Sequence, residues 1–313
     1  MSMKKNGAAS AVQYEFPDKR KETFKEMIYN QETGSILGRT GAEWGKLLIF
    51  YTIFYAILAI MFAICMQGLL ASISDDRPTY VLERSLIGTN PGLGYRPLAN
   101  LTELGSVVHY NSKKPDEIKF WTDHLDEFLT TYSNKSGGSN EKICDFDTKL
   151  NRGDVCAVTL ENFGPCNRNQ SYGYDRSKPC FFLKLNKIME WVPEYYEDVN
   201  DLPEDMPEDL KTYVKSIPAK ERKQIWVSCQ GHHPSDMEII GPVSYYPGRG
   251  FAGYYYPYTN QPGYLSPIVA VQLERPTLNQ MVHIECRAWA KNIIYDGSLR
   301  DRQGSVLFEV LID

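Results

Sequence analysis

Between Leu47 and Ile73 there is no Asp, Glu, Lys or Arg. A helix over those 27 residues would be about 40 Å long, enough to cross a hydrocarbon core of about 30 Å with tilt. A buried core helix of that length would show a polar face, and this stretch has none. No cysteine precedes the run. An excess of positive charge is missing too: the net charge is −5, which argues against a nucleic-acid binder. Catalytic signatures are absent as well, with no Gly-x-Ser-x-Gly, His-Glu-x-x-His or Walker loop. The composition that remains, 42% hydrophobic and 23% charged, is that of a globular chain and excludes a disordered, collagenous or polytopic membrane protein.

The apolar run begins 46 residues in, is too long for a cleavable signal peptide, and is followed by no small-residue cleavage site. It reads as an uncleaved signal anchor. Flanking charge does not orient it, since Arg39 and Lys46 on one side balance Arg77 and Arg84 on the other. The whole N-terminal tail, with eight Lys or Arg against six acids, leans slightly basic. Chemistry restricted to one compartment is more informative. Cys144, Cys156, Cys166, Cys180, Cys229 and Cys286 all follow the span, and Cys65 lies inside it. An even set on one side indicates a disulfide framework in an oxidising space. Three N-glycosylation sequons fall on that side, at Asn100-Leu101-Thr102, Asn134-Lys135-Ser136 and Asn169-Gln170-Ser171. The expected topology is therefore type II single-pass: residues 1–46 a mostly flexible cytosolic tail, 47–73 the transmembrane helix, and 74–313 an extracellular domain. The tail has room for one short helix over Lys19–Tyr29, with Phe24, Met27 and Ile28 on one face.

The outer part reads as mainly β. In Met281–Ala290 one face carries Val282, Ile284, Cys286, Ala288 and Ala290, and the other His283, Glu285, Arg287 and Trp289. Val306, Phe308, Val310 and Ile312 alternate in the same way, which predicts half-buried antiparallel strands. Ile268–Leu273, the Ile225/Val227/Cys229 segment and the Phe181/Leu183/Leu185 segment are further strand candidates. Cys229 and Cys286 both fall on apolar faces; a bond between them would pin two strands across a core, as in an immunoglobulin-like sandwich. Closing that loop of about 57 residues would contribute roughly 4 kcal/mol, against about 3 for a loop of a dozen. Residues 134–180, rich in Gly, Asn and Ser, read as a stapled surface region with little core, and the acidic run 190–209 as a solvated loop. Helices are expected at Asp116–Tyr132 and Glu208–Val214. The fold class is thus one transmembrane helix plus an antiparallel β-sandwich with a disulfide-stapled, loop-rich region.

The chemical candidates are few. His232-His233 point apart if in a strand and have no acid or cysteine at ligand spacing, so no metal site is expected there. Phe163-Gly164-Pro165-Cys166 and the even cysteine set offer no activated thiol. Asp145-Phe146-Asp147 matches the Asp-x-Asp triplet of Golgi glycosyltransferases, which share this topology, but no apolar strand precedes it. A type II adhesion or lectin-like receptor is the other rival class. Tyr51 and Tyr55, at i and i+4, share a helix face with a hydroxyl each inside the span, and Ala56, Ala59 and Ala63 line another where a helix can approach closely. Tyr254, Tyr255, Tyr256, Pro257 and Tyr258 form a dense aromatic block, either sandwich core or a protein-contact surface.

The span and its flank, Glu43-Trp-Gly-Lys-Leu-Leu-Ile-Phe-Tyr-Thr-Ile-Phe-Tyr-Ala-Ile-Leu-Ala, resemble the β subunit of the Na,K-ATPase and H,K-ATPase family, whose anchor carries Phe-Tyr-x-x-Phe-Tyr-x-x-Leu-Ala. Further linked segments continue the likeness over roughly residues 43–313: Pro78-Thr-Tyr, Pro91-Gly-Leu, Lys178-Pro-Cys-Phe-Phe-Leu-Lys-Leu-Asn-Lys-Ile, Tyr255-Tyr-Pro-Tyr, Tyr264-Leu-Ser-Pro-Ile-Val-Ala-Val-Gln and Ile284-Glu-Cys-Arg-Ala-Trp. Gly88-Thr-Asn-Pro-Gly-Leu-Gly-Tyr is similar to the invertebrate Na,K-ATPase branch. A short Cys144–Cys156 spacing and an extended 190–209 segment depart from the family pattern. The resemblance implies sequential bridges, 144–156, 166–180 and 229–286, where six cysteines alone allow fifteen pairings. It implies a non-catalytic plasma-membrane subunit that supports folding, delivery and K⁺ affinity of a catalytic P-type ATPase α subunit, with Tyr51, Phe54, Tyr55 and the Tyr254–Tyr258 block as contacts. No cofactor, metal or nucleic acid is implied; membrane lipid and N-linked glycans are. A cell–cell or junctional adhesion role, as in some members, also comes with the family.

Overall fold

The structure, a computed structural model, describes residues 28–30, 34–74, 76–98, 105–133, 140–151, 153–298 and 300–313. The expected tail helix at Lys19–Tyr29 lies almost wholly outside them. Two units divide the chain between Ile73 and Ser74.

The first unit is dominated by helix α1, Gly41–Ser72. It opens where Thr40 N donates to the Glu43 carboxylate at 2.9 Å, placing an acid in the first turn where the helix dipole favours it. Trp44 Nε1 ties this start to Ile36 O at 2.9 Å. The helix begins six residues ahead of the charge-free run and is long and apolar enough to cross a membrane. None of its residues is buried among the described residues.

The second unit is a two-sheet sandwich. Its strands are β1 Leu93–Arg96, β2 Val107–Tyr110, β3 Cys180–Leu185, β4 Gln224–Gly231, β5 Val243–Tyr246, β6 Gly250–Ala252, β7 Ile268–Leu273, β8 Val282–Trp289 and β9 Ser305–Ile312. Its helices are α2 Pro115–Ser133, α3 Glu208–Ser216 and α4 Pro234–Ile239. One sheet runs β6-β4-β8-β9-β2, the other β1-β3-β7-β5. The alternating segments pair antiparallel as the sequence predicts, Ile284 opposite Phe308 and Cys286 opposite Val306. One pairing differs: β2 joins β9 in parallel, with Val107 opposite Glu309. Between the sheets, Phe308 stacks on Tyr95 at 4.4 Å and meets Phe181 at 4.8 Å, ring centre to ring centre.

The outer faces are covered as well. Helix α2 turns Trp121, Leu125, Leu129 and Tyr132 inward at helical spacing. Phe182, on the outward side of β3, is met by Phe128, Phe163 and Tyr172. Residues 134–180 are therefore not a surface staple alone: Phe163, Tyr172 and Tyr174 are buried in the main core. The double cover explains why β3 and β7 are almost continuously apolar. On the opposite side, Leu210 and Val214 of α3 and Met206 cover Trp226 and Trp289 in a second apolar cluster.

Candidate functional site: disulfides, sequons and the tyrosine block

The three disulfides join Cys144 to Cys156, Cys166 to Cys180 and Cys229 to Cys286. The third does not cross the sandwich. Cys229 and Cys286 face one another on β4 and β8, adjacent strands of one sheet. Periodicity fixes which face a cysteine occupies but not which sheet it belongs to, hence the difference from the cross-core bridge expected. Cys65 is a free, exposed cysteine within α1. Of the sequons, Asn169 is exposed on the 168–176 turn; Asn100 and Asn134 lie outside the described residues.

The tyrosine block follows β6. Tyr254 packs on Tyr255 and Phe146, at 4.7 and 5.3 Å. The Tyr255 hydroxyl donates to Ala157 O at 3.0 Å. Tyr256 meets Trp191 edge to face at 5.8 Å, and its buried hydroxyl has no hydrogen-bond partner among the described residues. Burial pushes the phenols of Tyr255 and Tyr256 well above the ordinary tyrosine range, so both stay neutral and act as packing groups. Pro257 is exposed. Tyr258 is half-buried, donates to Asn260 Oδ1 at 3.0 Å and packs on Tyr264 at 4.9 Å. The Lys187 ammonium lies 5.1 Å over both of those rings. Two links fasten this corner to the residues just after the apolar run: Asn260 Nδ2 donates to Asp76 O at 3.0 Å, and Arg77 pairs with Glu190, whose amide bonds to Tyr258 O. In α1, Tyr51, Phe54 and Tyr55 are exposed, with Tyr51 stacked on Tyr55 at 6.1 Å.

The rival motifs are tied up in local structure. The Asp145 carboxylate accepts from Thr148 Oγ1 at 2.7 Å and from Asp147 N at 3.0 Å; these bonds, the hydroxyl's first, hold its pKa below the usual range. Asp147 pairs with Lys220 at 2.6 Å. His232 Nδ1 lies 3.2 Å from Glu285. Among the described residues no three His, Cys, Asp or Glu side chains converge to hold a metal. The acids of the 190–209 run, from Glu194 to Asp209, are exposed, as expected, and three of them also pair with basic side chains on or beside the sheet: Asp205 with Arg287, Asp201 with Lys291 and Asp209 with Arg249.

Sequence reasoning missed two polar centres. Asp236, buried in α4, accepts from the amides of His233 and His283 and from the His283 ring. Glu285 is buried on the outer face of β8 among Arg302, Ser305, Tyr295 and His232. An acid at an outward strand position gives no hint of burial by itself; its cover comes from residues ten to twenty further along.

One helix long and apolar enough to cross a membrane, ahead of a disulfide-stapled β-sandwich, defines the class of single-pass membrane proteins. The family model described as "Sodium / potassium ATPase beta chain" matches residues 15–308, and the chain belongs to that family. It is 51% identical over 311 residues to "Sodium/potassium-transporting ATPase subunit beta-1" of Drosophila melanogaster, covering 99% of both chains. It is 45% identical to subunit beta-2 of the same organism, over 94% of this chain and 93% of that one. Identity to the "Probable sodium/potassium-transporting ATPase subunit beta-3" of Caenorhabditis briggsae is 32%, over 93% and 87%.

Proposed function

We propose that the chain is the non-catalytic β subunit of a plasma-membrane Na,K pump, supporting folding, delivery and K⁺ affinity of a catalytic P-type α subunit. The observation that carries this is the family match along almost the whole chain, to relatives named as subunits of a sodium/potassium-transporting ATPase. Two surfaces would make the contact. In α1, Tyr51, Phe54 and Tyr55 present one aromatic stripe that stays exposed among the described residues, as expected of a helix that packs on another in the membrane. Outside, the corner of Pro257 and Tyr258 is fastened to Asp76 and Arg77. Asp76 follows the last residue of α1 by four positions in the chain. An extracellular loop of a membrane partner reaches such a corner readily, and Tyr is a favoured contact residue.

Affinity capture of the full chain from detergent-solubilised membranes tests the assignment. It should recover a P-type ATPase α chain with Na⁺- and K⁺-dependent ATP hydrolysis; recovery of sugar-nucleotide hydrolysis instead would favour the transferase class. The proposed orientation, N-terminus cytosolic, is tested by glycosidase digestion, which should raise gel mobility in up to three steps. No shift would overturn it.

A further inference from the structure

A cavity of about 370 Å³ opens between α2 and the segment that carries the second disulfide. That volume lies at the lower end of the roughly 300–1,000 Å³ typical of small-molecule sites. Its floor is aromatic, from Phe163, Tyr172 and Phe182, all buried. Its rim is polar. Asp126 accepts the Tyr172 hydroxyl at 2.7 Å and pairs with Arg168 at 3.3 Å. The hydroxyls of Thr130 and Ser133 donate to backbone carbonyls of α2, which leaves their oxygens free to accept. An apolar wall, with Leu160 half-buried beside the covered rings, and fixed polar groups above it suit a sugar: its apolar face covers the wall while its hydroxyls and acetamide find partners on the rim.

The covalent structure places such a sugar next to the cavity. Asn167 and Arg168 line it, and the sequon residue Asn169 follows directly, exposed. Ser171, Tyr172 and Gly173 then take left-handed φ values of 48°, 50° and 77°. This reversal sends the Tyr172 ring inward and leaves Asn169 outside. A Cβ on Gly173 would sit 2.1 Å from Lys178 O, so the turn requires glycine there.

We propose that the first N-acetylglucosamine of a glycan on Asn169 folds back into this cavity and seals the contact between α2 and the 163–172 segment. The proposal rests on the extracellular assignment of residues 74–313. The test uses the full chain in its native complex. Glycopeptide mass spectrometry reports occupancy at each sequon, and hydrogen exchange is followed in peptides covering 125–133 and 163–172. Three forms are compared: untrimmed, endoglycosidase-trimmed to a single N-acetylglucosamine, and Asn169→Gln. Untrimmed and trimmed forms should share the same protection, and Asn169→Gln should exchange about fivefold faster or more in those peptides. Thr130→Trp, at an exposed position on the rim, should fill the cavity and abolish the difference between glycosylated and Asn169→Gln forms. Equal exchange in all three forms overturns the proposal, as does protection that rises with protein concentration, which would place a neighbouring molecule's sugar in the cavity. A bare Asn169 with glycan on Asn100 or Asn134 overturns it while leaving the extracellular assignment intact; three bare sequons would sink both.

Discussion

Cys229 and Cys286 stand directly opposite one another on neighbouring antiparallel strands, their Cα atoms 4.0 Å apart. The bond therefore reinforces one sheet internally, and the two sheets are held together by the Tyr95, Phe181 and Phe308 rings instead. Cys286 is fully buried, and Ser in its place would leave a buried hydroxyl in an apolar layer. Loss of the 57-residue loop closure would remove roughly 4 kcal/mol, a large share of the stability of a domain this size. Cys144 closes only 12 residues and is half-buried, a loss of about 3 kcal/mol with little core disturbance. Surface biotinylation should therefore show Cys286→Ser delivered to the cell surface far less than Cys144→Ser; equal loss in both would refute the ranking.

The α3 cover separates apolar from ionic contributions. Leu210 is completely buried against Trp226 and Trp289. Leu210→Ala should cost about 2–4 kcal/mol through lost transfer energy and an unfilled cavity. Asp201 and Asp205 hold Lys291 and Arg287, but their side chains are 61% and 58% exposed, so solvent screens both pairs. The double variant Asp201→Ala/Asp205→Ala should cost less than about 1 kcal/mol. Thermal unfolding of the two variants checks the order; a larger drop for the acidic pair would mean the ion pairs, not the apolar cover, hold α3 down.

Asp236 ties α4 to β8. Burial alone would raise its pKa, yet the amide hydrogen bonds from His283 and His233 and the His283 ring outweigh it and hold the carboxyl below its ordinary value. A depressed folded pKa stabilises the fold above the unfolded pKa, near 4, and that contribution is lost as pH falls through the folded value. Asp236→Asn should be less stable at neutral pH by about 1–3 kcal/mol and lose less stability between pH 5 and pH 2 than the parent. Unfolding midpoints measured across that range decide it; parallel pH profiles would remove Asp236 from the account.

Where a segment's environment matches its local period, the sequence was readable. The charge-free run gave α1, strict alternation gave β8 and β9, and the helix expected at Asp116–Tyr132 matches α2 almost to the residue, with Trp121, Leu125 and Leu129 on its buried face. Legibility failed where burial comes from remote cover. Phe163, Tyr172 and Tyr174 sit in a polar stretch with no period; only Phe182, which meets the first two, and Phe181 and Tyr110, which meet the third, show why they are buried. Trp226 and Trp289 point away from the sandwich and needed α3 to explain them. The parallel β2–β9 pairing leaves no mark in a four-residue strand. Of the proposed contact site, the tyrosines were visible as composition, but the link from Asn260 to Asp76 spans 184 residues and could be found only in three dimensions.

The membrane helix offers the sharpest test of the proposed partnership. Tyr51 and Tyr55 stack on one side of α1, and both remain exposed in the isolated chain. Replacing both by Phe removes two hydroxyls and leaves the ring volumes nearly unchanged. If the rings only face lipid, losing hydroxyls from an apolar environment should be neutral or slightly favourable. If the hydroxyls bond to a helix of the α subunit, each loss should cost about 0.5–1.5 kcal/mol of coupling. Assembly should survive, since in the proposed complex the corner at Pro257 and Tyr258 would still hold the partner. In the proposed complex the pump's conformational equilibrium should move, provided the contacted helix shifts during the cycle. The expected result for Tyr51→Phe/Tyr55→Phe is normal surface expression with apparent K⁺ affinity altered by a small factor. Unchanged K⁺ activation, measured in cells that lack any other β subunit, would reduce the helix to a passive tether.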